Sequence, residues 1–283
     1  MKKILITGVN SYVGNAVDRW LKQSNSDKYQ IDKISVRSND WKLLNFSIYD
    51  SIVHVAGIAH VSTNPNMEKE YYRVNRDLTI ELAKKAKQDS VRQFIFLSSI
   101  IIYGSKVELI TTDTQPNPDD FYGRSKLEAE ESLLKLVDES FKIAIIRPPM
   151  IYGKNSKGNY PRLAKLAKWT PIFPNYPNER SMIHIDNLTE FIRLLIDIED
   201  SGIFFPQNIE YVNTSHLVRT IAEVSGKRIW LTKMFNGIIR KLMNVTVINK
   251  MFSDLKYVNS LSEYKQSYQV NSFRESIELT EKS

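Results

Sequence analysis

Apolar and polar positions follow two periods along the first half of the chain. Short runs rich in β-branched residues at 4–7, 29–37, 51–57, 93–99 and 142–149 read as strands, the last stopped by Pro148 and Pro149. Between them apolar residues recur at helical spacing: Val13, Val17, Trp20 and Leu21 after the first run, then Val74, Leu78 and Leu82 within a helix over 67–87. A further helix is expected over 122–137, and the link between the second and third strands is short. Strands alternating with helices predict an α/β protein with a Rossmann-type, doubly wound parallel sheet. Past Pro149 the regularity falls, because Gly153, Gly158, Pro161, Pro171, Pro174 and Pro177 cut the chain into short pieces. The expected division is a sheet domain over 1–150 and a smaller C-terminal substrate-binding lobe mainly over 151–283, with about 181–198 returning to the sheet.

Composition narrows the class. Hydrophobic residues at 42% and charged residues at 25% over 283 positions are those of a globular protein with a sizeable core. There is no cysteine, which excludes disulfides and thiolate metal sites. His54, His60, His184 and His216 have no ligand spacing, so no metal is expected. A net charge of +7 favours anionic partners, and a phosphorylated small molecule or a weakly touched anionic membrane surface suits it. Nucleic acid is not expected, because the lysines and arginines are scattered rather than massed in one block. The apolar run 4–6 is interrupted at once by Thr7 and Gly8, and no stretch reaches the length needed to span a bilayer. The expectation is a cytoplasmic protein without stable membrane insertion.

Three local patterns carry chemistry. In "ILITGVNSYVG" a strand runs into a glycine turn and a helix, the context in which such spacing binds a dinucleotide pyrophosphate. Gly8 permits the tight turn and Gly14 the close helix-to-sheet packing, while backbone N–H groups near Tyr12 and Val13 would face the phosphates. Ser11 stands where a middle glycine is usual, and is expected at the helix start, with negative φ, bonded to a helix N–H or to the pyrophosphate. Tyr122 and Lys126 are four residues apart on one helix face, where an ammonium would lower the phenol pKa. Ser98 and Ser99 end a strand at the edge where open α/β sheets bind ligands. Each pattern alone is equally well a plain structural feature.

Together with "VHVAGIAHV", "YRVNRDLT", "FIFLSSIIIYG", "YGRSK", "RPPMIYG" and "RSMIHIDNL", these pieces resemble, in order and over nearly the whole chain, the extended short-chain dehydrogenase/reductases, the NAD-dependent epimerase/dehydratase family. The resemblance implies a catalytic trio of Ser99, Tyr122 as acid/base, and Lys126, which also holds the nicotinamide ribose. It further implies cofactor contacts by Gly8, Ser11, Tyr12, Val13, Gly14, Ala56, Asn75, Tyr122, Lys126 and Pro148, and substrate contacts by Ser99, Asn159 and Arg180. Members that use NAD usually end the second strand with an acidic residue. Here "KISVR" has Ser35 there and Arg37 just after, which removes repulsion of a 2′-phosphate and adds attraction, so NADP is favoured over NAD.

The second half resembles bacterial enzymes of capsular and other surface polysaccharide synthesis, nucleotide-sugar 4-keto reductases among them. The implied reaction is reduction of the C4 ketone of a UDP-linked 4-keto-6-deoxy amino sugar. A UDP-sugar 4-epimerase with tightly bound NAD uses the same three residues. A dehydratase would need an extra acid/base pair where this chain has Ile100, Ile101 and Ile102. A non-catalytic NADP-sensing regulator is the reading of another class, and it has no need of Ser99, Tyr122 and Lys126 together. The family's habit of pairing through helices makes a homodimer the expected assembly.

Overall fold

Ile4, Leu5 and Ile6 are fully buried because their strand is flanked by others and covered on both faces. The computed structural model describes residues 1–24, 27–58 and 64–282. In chain order the elements are β1 (Lys2–Thr7), α1 (Tyr12–Ser24), β2 (Tyr29–Ile34), β3 (Ser51–His54), α2 (Glu68–Tyr71), a π-helical turn (Tyr72–Asp77), α3 (Leu78–Gln88), β4 (Gln93–Leu97), β5 (Leu109–Ile110), α4 (Phe121–Leu134), β6 (Lys142–Ile146) and β7 (Met150–Tyr152). They continue with α5 (Asn159–Trp169), β8 (Ile172–Pro174), β9 (Met182–His184), α6 (Ile185–Ile198), β10 (Gly202–Phe204), α7 (Thr214–Val224), β11 (Trp230–Thr232), α8 (Asn236–Lys241), α9 (Thr246–Phe252), β12 (Lys256–Tyr257) and α10 (Phe273–Lys282).

Six parallel strands form the main sheet in the order β10-β6-β4-β3-β1-β2. The chain leaves β1 for β2 on one side and returns to β3 on the other, so the topological switch point lies at the carboxyl ends of β1 and β3. Thr7 pairs with Ile34 on one side and His54 on the other, which brings those three strand ends level. β2 stops at Ile34 rather than at Arg37, since β1 ends opposite it and Gly8 N–H takes the last carbonyl at 2.9 Å. A 3-10 turn, Asp40–Leu43, takes the place of a crossover helix before β3, with Trp41 and Phe46 plugging the core there.

The chain groups into two compact units. The first, Met1–Gly104, Gln115–Pro148 and Leu188–Pro206, holds the six-stranded sheet. The second, Ser105–Thr114, Pro149–Asn187 and Gln207–Ser283, holds three two-stranded sheets, β11-β8, β12-β5 and β7-β9. Its core gathers Tyr152, Tyr160, Leu163, Phe173, Leu217 and Ile221 with their neighbours from α5, α7 and α10. Among the described residues no helix is long and apolar enough to cross a membrane.

Candidate active site

The loop after β1 is shaped by two glycines. Gly8 has φ of 100°, a left-handed conformation, and a Cβ there would stand 3.3 Å from Ala56 backbone atoms. A Cβ on Gly14 would meet Val55 Cγ2 at 3.0 Å and Ile6 Cγ2 at 3.2 Å, so its absence lets α1 lie close on the sheet. Ser11 precedes α1 with no left-handed φ, and its Oγ accepts from Gly14 N–H at 3.3 Å. The same hydroxyl donates to the Val55 carbonyl at 3.4 Å. Ser11 therefore caps the helix and ties it to the loop after β3. The first helical N–H groups, which point out of a helix start, belong here to Tyr12 and Val13, and the first turn has no acidic residue. An anionic pyrophosphate fits this arrangement of small residues, helix start and absent carboxylates.

At the end of β2, Ser35 and Arg37 are exposed, and Arg37 N–H donates to Ser35 Oγ at 3.4 Å. The nearby acids are committed elsewhere. Asp32 accepts from the Tyr49 hydroxyl at 2.9 Å and Asp40 from Ser38 at 2.8 Å.

The residues expected to be catalytic are gathered around α4. Asp120 caps it by accepting from Gly123 N–H at 2.8 Å, and a Cβ on Gly123 would lie 2.7 Å from Pro118 Cβ and 3.2 Å from the Ile101 carbonyl. That close approach seats the start of α4 against the 3-10 turn Ile100–Tyr103, which Ser99 caps by accepting from Ile101 N–H at 3.3 Å. The Ser99 hydroxyl neighbours the Tyr122 hydroxyl closely enough to draw its pKa down. Ser98 makes no side-chain hydrogen bond among the described residues, although its buried hydroxyl is next in sequence. The structure thus brings Tyr122 to Ser99 and not to Ser98.

One turn on from Tyr122, Lys126 is buried, donates from Nζ to the Leu97 carbonyl at 2.9 Å, and stands 4.6 Å from the centre of the Phe96 ring. Burial pushes its pKa down to about 8, with the charge of Glu130 opposing. Burial pushes Tyr122 up to about 12, and the neighbouring Ser99 hydroxyl pulls the other way. The expected lowering of Tyr122 by Lys126 is therefore not found: burial is the largest influence on the phenol and holds it above its ordinary value.

Asn75 occupies the π-helical turn and is fully buried. Its Oδ1 accepts from Ile58 N–H at 2.9 Å, while its Nδ2 donates to the Ile58 carbonyl at 3.2 Å and to Ser125 Oγ at 3.2 Å. It clamps the loop after β3 to α4. A Cβ on Gly57 would meet Asn75 Oδ1 at 3.0 Å and Lys126 Nζ at 3.4 Å, so both polar groups lie beneath that glycine. Thr79 donates to the Asn75 carbonyl at 2.8 Å, which leaves its oxygen to accept from His54 Nε2 at 2.9 Å and leaves His54 Nδ1 to accept from Thr7 at 2.7 Å. His54 is a neutral core residue, its pKa pushed down to about 3 by burial and then by Lys126, and no group of metal ligands exists among the described residues. His60, the other histidine of that motif, lies outside the described residues.

His54 gives a pH prediction. Its folded pKa of about 3 lies below the ordinary 6.5, so its neutral form is free of penalty above 6.5 in both states. As pH falls from 6.5 toward 3 the unfolded chain gains a proton that the native state refuses, and stability drops by about 1.4 kcal/mol per pH unit from this group. Urea unfolding from neutral to acid pH measures that slope, and His54→Asn should flatten it by one proton; an unchanged slope would count against the assignment.

Pro148 is buried at the end of β6, and its carbonyl accepts from Ile100 N–H at 2.9 Å, which joins the ends of β4 and β6. The remaining expected residues belong to the second unit. Asn159 is exposed as the first residue of α5, after Gly158 with φ of 98°. Arg180 Nη1 donates to the Ser253 carbonyl at 2.7 Å and to Ser253 Oγ at 3.1 Å, and burial pushes its pKa down to about 10. Sequence reading missed a buried pair beside the trio. Arg147 bonds Glu130 at 2.6 Å and the Tyr103 hydroxyl at 2.7 Å. The signal was present, since Glu130 continues the four-residue spacing of Tyr122 and Lys126 along one helix face.

Residues 4–204 match the family model described as the NAD dependent epimerase/dehydratase family. A Vibrio cholerae protein named UDP-glucose 4-epimerase is 31% identical over 257 residues, covering 81% of this chain and 77% of that protein. Among solved structures, UDP-glucuronic acid 4-epimerase from Bacillus cereus in complex with NAD superposes with a TM-score of 0.72 at 18% identity over 99% of this chain and 96% of the other. dTDP-4-dehydrorhamnose reductase from Bacillus anthracis in complex with NADP gives 0.66 at 18% identity over 84% and 86%. The chain belongs to the NAD-dependent epimerase/dehydratase family, the extended short-chain dehydrogenase/reductases, and is an NAD(P)-dependent oxidoreductase or epimerase.

Proposed function

We propose that the protein reduces the C4 ketone of a UDP-linked 4-keto-6-deoxy amino sugar, with Ser99, Tyr122 and Lys126 as its catalytic residues. The observation that carries this reading is the juxtaposition of Ser99, at the end of β4, with Tyr122 on α4, one turn before buried Lys126. A nicotinamide nucleotide supplies, when bound, the hydride for C4. Tyr122, with its pKa near 12, enters as the phenol and gives its proton to the oxygen that gains charge at C4. Ser99 orients that oxygen and shares the developing charge through its hydroxyl. Gly8, Ser11, Tyr12, Val13 and Gly14 hold the pyrophosphate, Ala56 lines the adenosine side, Asn75 supports the central strands beside the nucleotide, Pro148 lies near the nicotinamide carboxamide, and Lys126 holds the nicotinamide ribose. Asn159 and Arg180 take the diphosphate of the sugar nucleotide. Ile100, Ile101 and Ile102 offer no proton transfer, which weighs against a dehydratase.

A 4-epimerase is the second reading, favoured by the 31% identical relative with that name. The two separate in one experiment: identify the nucleotide released on denaturation, then follow NADPH absorbance with a UDP-4-keto sugar. Stoichiometric NADPH oxidation supports the reductase; firmly held NAD with no net NADPH use overturns it in favour of the epimerase.

Exposed Arg37 beside Ser35 favours NADP as the nucleotide. Arg37→Ala should raise KM for NADPH about tenfold while leaving KM for NADH nearly unchanged, a loss of about 1.4 kcal/mol confined to the 2′-phosphate. Equal effects on both cofactors would remove Arg37 from that role.

A further inference from the structure

The second unit carries an apolar face that its own core does not use. Parallel pairing sets Ile172 of β8 beside Trp230 of β11, and both are turned outward, Trp230 to 78% exposure. Trp169, at the end of α5 just before β8, is 81% exposed, and Met234, just after β11, is 76% exposed. From β11 onward the outward apolar positions recur every fourth residue, at Trp230, Met234, Ile238 and Leu242. Leu231, Phe235, Ile239 and Met243 turn the other way and pack on the core of the unit. Asn236 Nδ2 donates to the Asn175 carbonyl at 3.0 Å, which fastens the start of α8 to the end of β8. Single exposed apolar residues are ordinary; two tryptophans and four aliphatic side chains exposed on β8, β11, α8 and the segments that flank them are the mark of an interaction surface.

Charge states what it binds. Basic residues are spread along the sequence, but acidic ones are not: residues 140–178 and 224–253 contain no Asp or Glu. Within the second unit these two stretches hold eleven Lys and Arg against a net charge of +7 for the whole chain, so the rest of the chain is net negative. Lys165, Lys233, Arg240 and Lys241 are exposed and form no ion pair among the described residues, whereas Lys168 pairs with Glu281 at 2.6 Å. A second copy of this chain suits the face poorly, because a two-fold interface would set these cations against themselves with no carboxylate in either stretch. Anionic lipid headgroups supply the missing charge, and the boundary below them accepts indole rings and short aliphatic side chains.

We propose that this face of the second unit docks on an anionic lipid bilayer, with Trp169 and Trp230 at the headgroup boundary and the lysines and arginines on lipid phosphates. The contact is peripheral: α8 has six residues, and no described helix can span a bilayer. The proposal is independent of which C4 reaction the enzyme performs.

The test is sedimentation of the full-length protein with vesicles of phosphatidylcholine containing about 30 mol % phosphatidylglycerol, at about 0.1 M salt, against vesicles of phosphatidylcholine alone. Binding to the anionic vesicles, with a blue shift of tryptophan emission, is expected. The double substitution Trp169→Ser/Trp230→Ser and, separately, Lys233→Glu/Arg240→Glu/Lys241→Glu should each weaken binding by about tenfold or more, with melting temperature and turnover of a soluble substrate unchanged. No binding to anionic vesicles overturns the proposal. So does binding that the tryptophan substitutions leave intact, which would be bare charge attraction. Loss of a dimer in sedimentation equilibrium on the same substitutions would assign the face to a second copy, and displacement of vesicles by single-stranded nucleic acid would assign it to that ligand; either result overturns the lipid reading.

Discussion

Tyr122→Phe is expected to lower kcat by on the order of 10²–10⁴-fold, the range by which a positioned proton donor accelerates a reaction. The substitution removes one oxygen and leaves the ring, which packs edge-on against Tyr71 at 5.9 Å between centroids. What is lost is at most one polar contact with Ser99, and Ser99 keeps its link to Ile101 N–H at 3.3 Å, so the 3-10 turn after β4 stays in place. Stability should therefore change by no more than about 1 kcal/mol, the net worth of one hydrogen bond. Retention of nucleotide should be unaffected, because the residues proposed to hold the pyrophosphate lie on the loop after β1 and on α1. The decisive measurement is single-turnover absorbance of the nicotinamide with candidate UDP-4-keto sugars, with thermal unfolding as the control. A variant that turns over at the parent rate would remove Tyr122 from the chemistry, whereas a parent protein that turns over none of these sugars would leave the NADP-sensing reading standing. Ser99→Ala should cost less, since it removes a group that orients the carbonyl while leaving the proton donor.

The strands under this site were legible because β-branched runs have no other good use in a chain that also carries helical stripes. β2, β3, β4 and β6 fall within the segments expected from them, and β1 begins two residues before its own. The long helix before β4 was legible in extent but not in phase. Its expected stripe was Val74, Leu78 and Leu82, whereas the fully buried positions run Tyr71, Asn75, Thr79 and then Leu82. Those positions are spaced four, four and three, an ordinary helical stripe, but Asn75 and Thr79 are polar, so the apolar period pointed to Val74 and Leu78 instead. Asn75 is turned inward to bond the loop after β3. α4 was legible by chemistry rather than by pattern. Its buried face carries Tyr122, Ser125, Lys126 and Glu130, so hydrophobic periodicity is weakest where the site is densest. Ser11 was legible once capping was considered, since a serine at a helix start does for Gly14 N–H what a glycine could not. Long-range pairings gave no sequence signal: β5 pairs with β12, placing Leu109 opposite Lys256, and only tertiary structure groups Ser105–Thr114 with the second unit.

Arg147→Met is expected to destabilise the protein by about 3–5 kcal/mol, the cost of leaving a buried charge without its partner. Glu130 is 1% exposed on α4, and its carboxylate receives Arg147 Nε at 3.0 Å and Nη2 at 2.6 Å. Arg147 also stacks over the rings of Tyr103 at 5.4 Å and Phe205 at 5.6 Å, so no solvent is at hand to replace the guanidinium. At about 2–4 °C per kcal/mol for a chain of this size, the melting temperature should fall by roughly 10 °C. Glu130→Gln breaks the same pair from the other side and adds an electrostatic effect. It removes the charge that raises the Lys126 pKa, so that group falls below its present value of about 8. The basic limb of kcat/KM, set by loss of the Lys126 proton in the free enzyme, should then move to lower pH, a shift that simple destabilisation does not produce. Glu130→Leu/Arg147→Met removes both charges together, and replacing a buried pair by apolar residues is near neutral or stabilising. The double substitution should therefore recover most of the stability lost by Arg147→Met, and the coupling measured by the cycle should be favourable and well above 1 kcal/mol. Additive losses would mean that the two side chains are held by their other contacts rather than by each other.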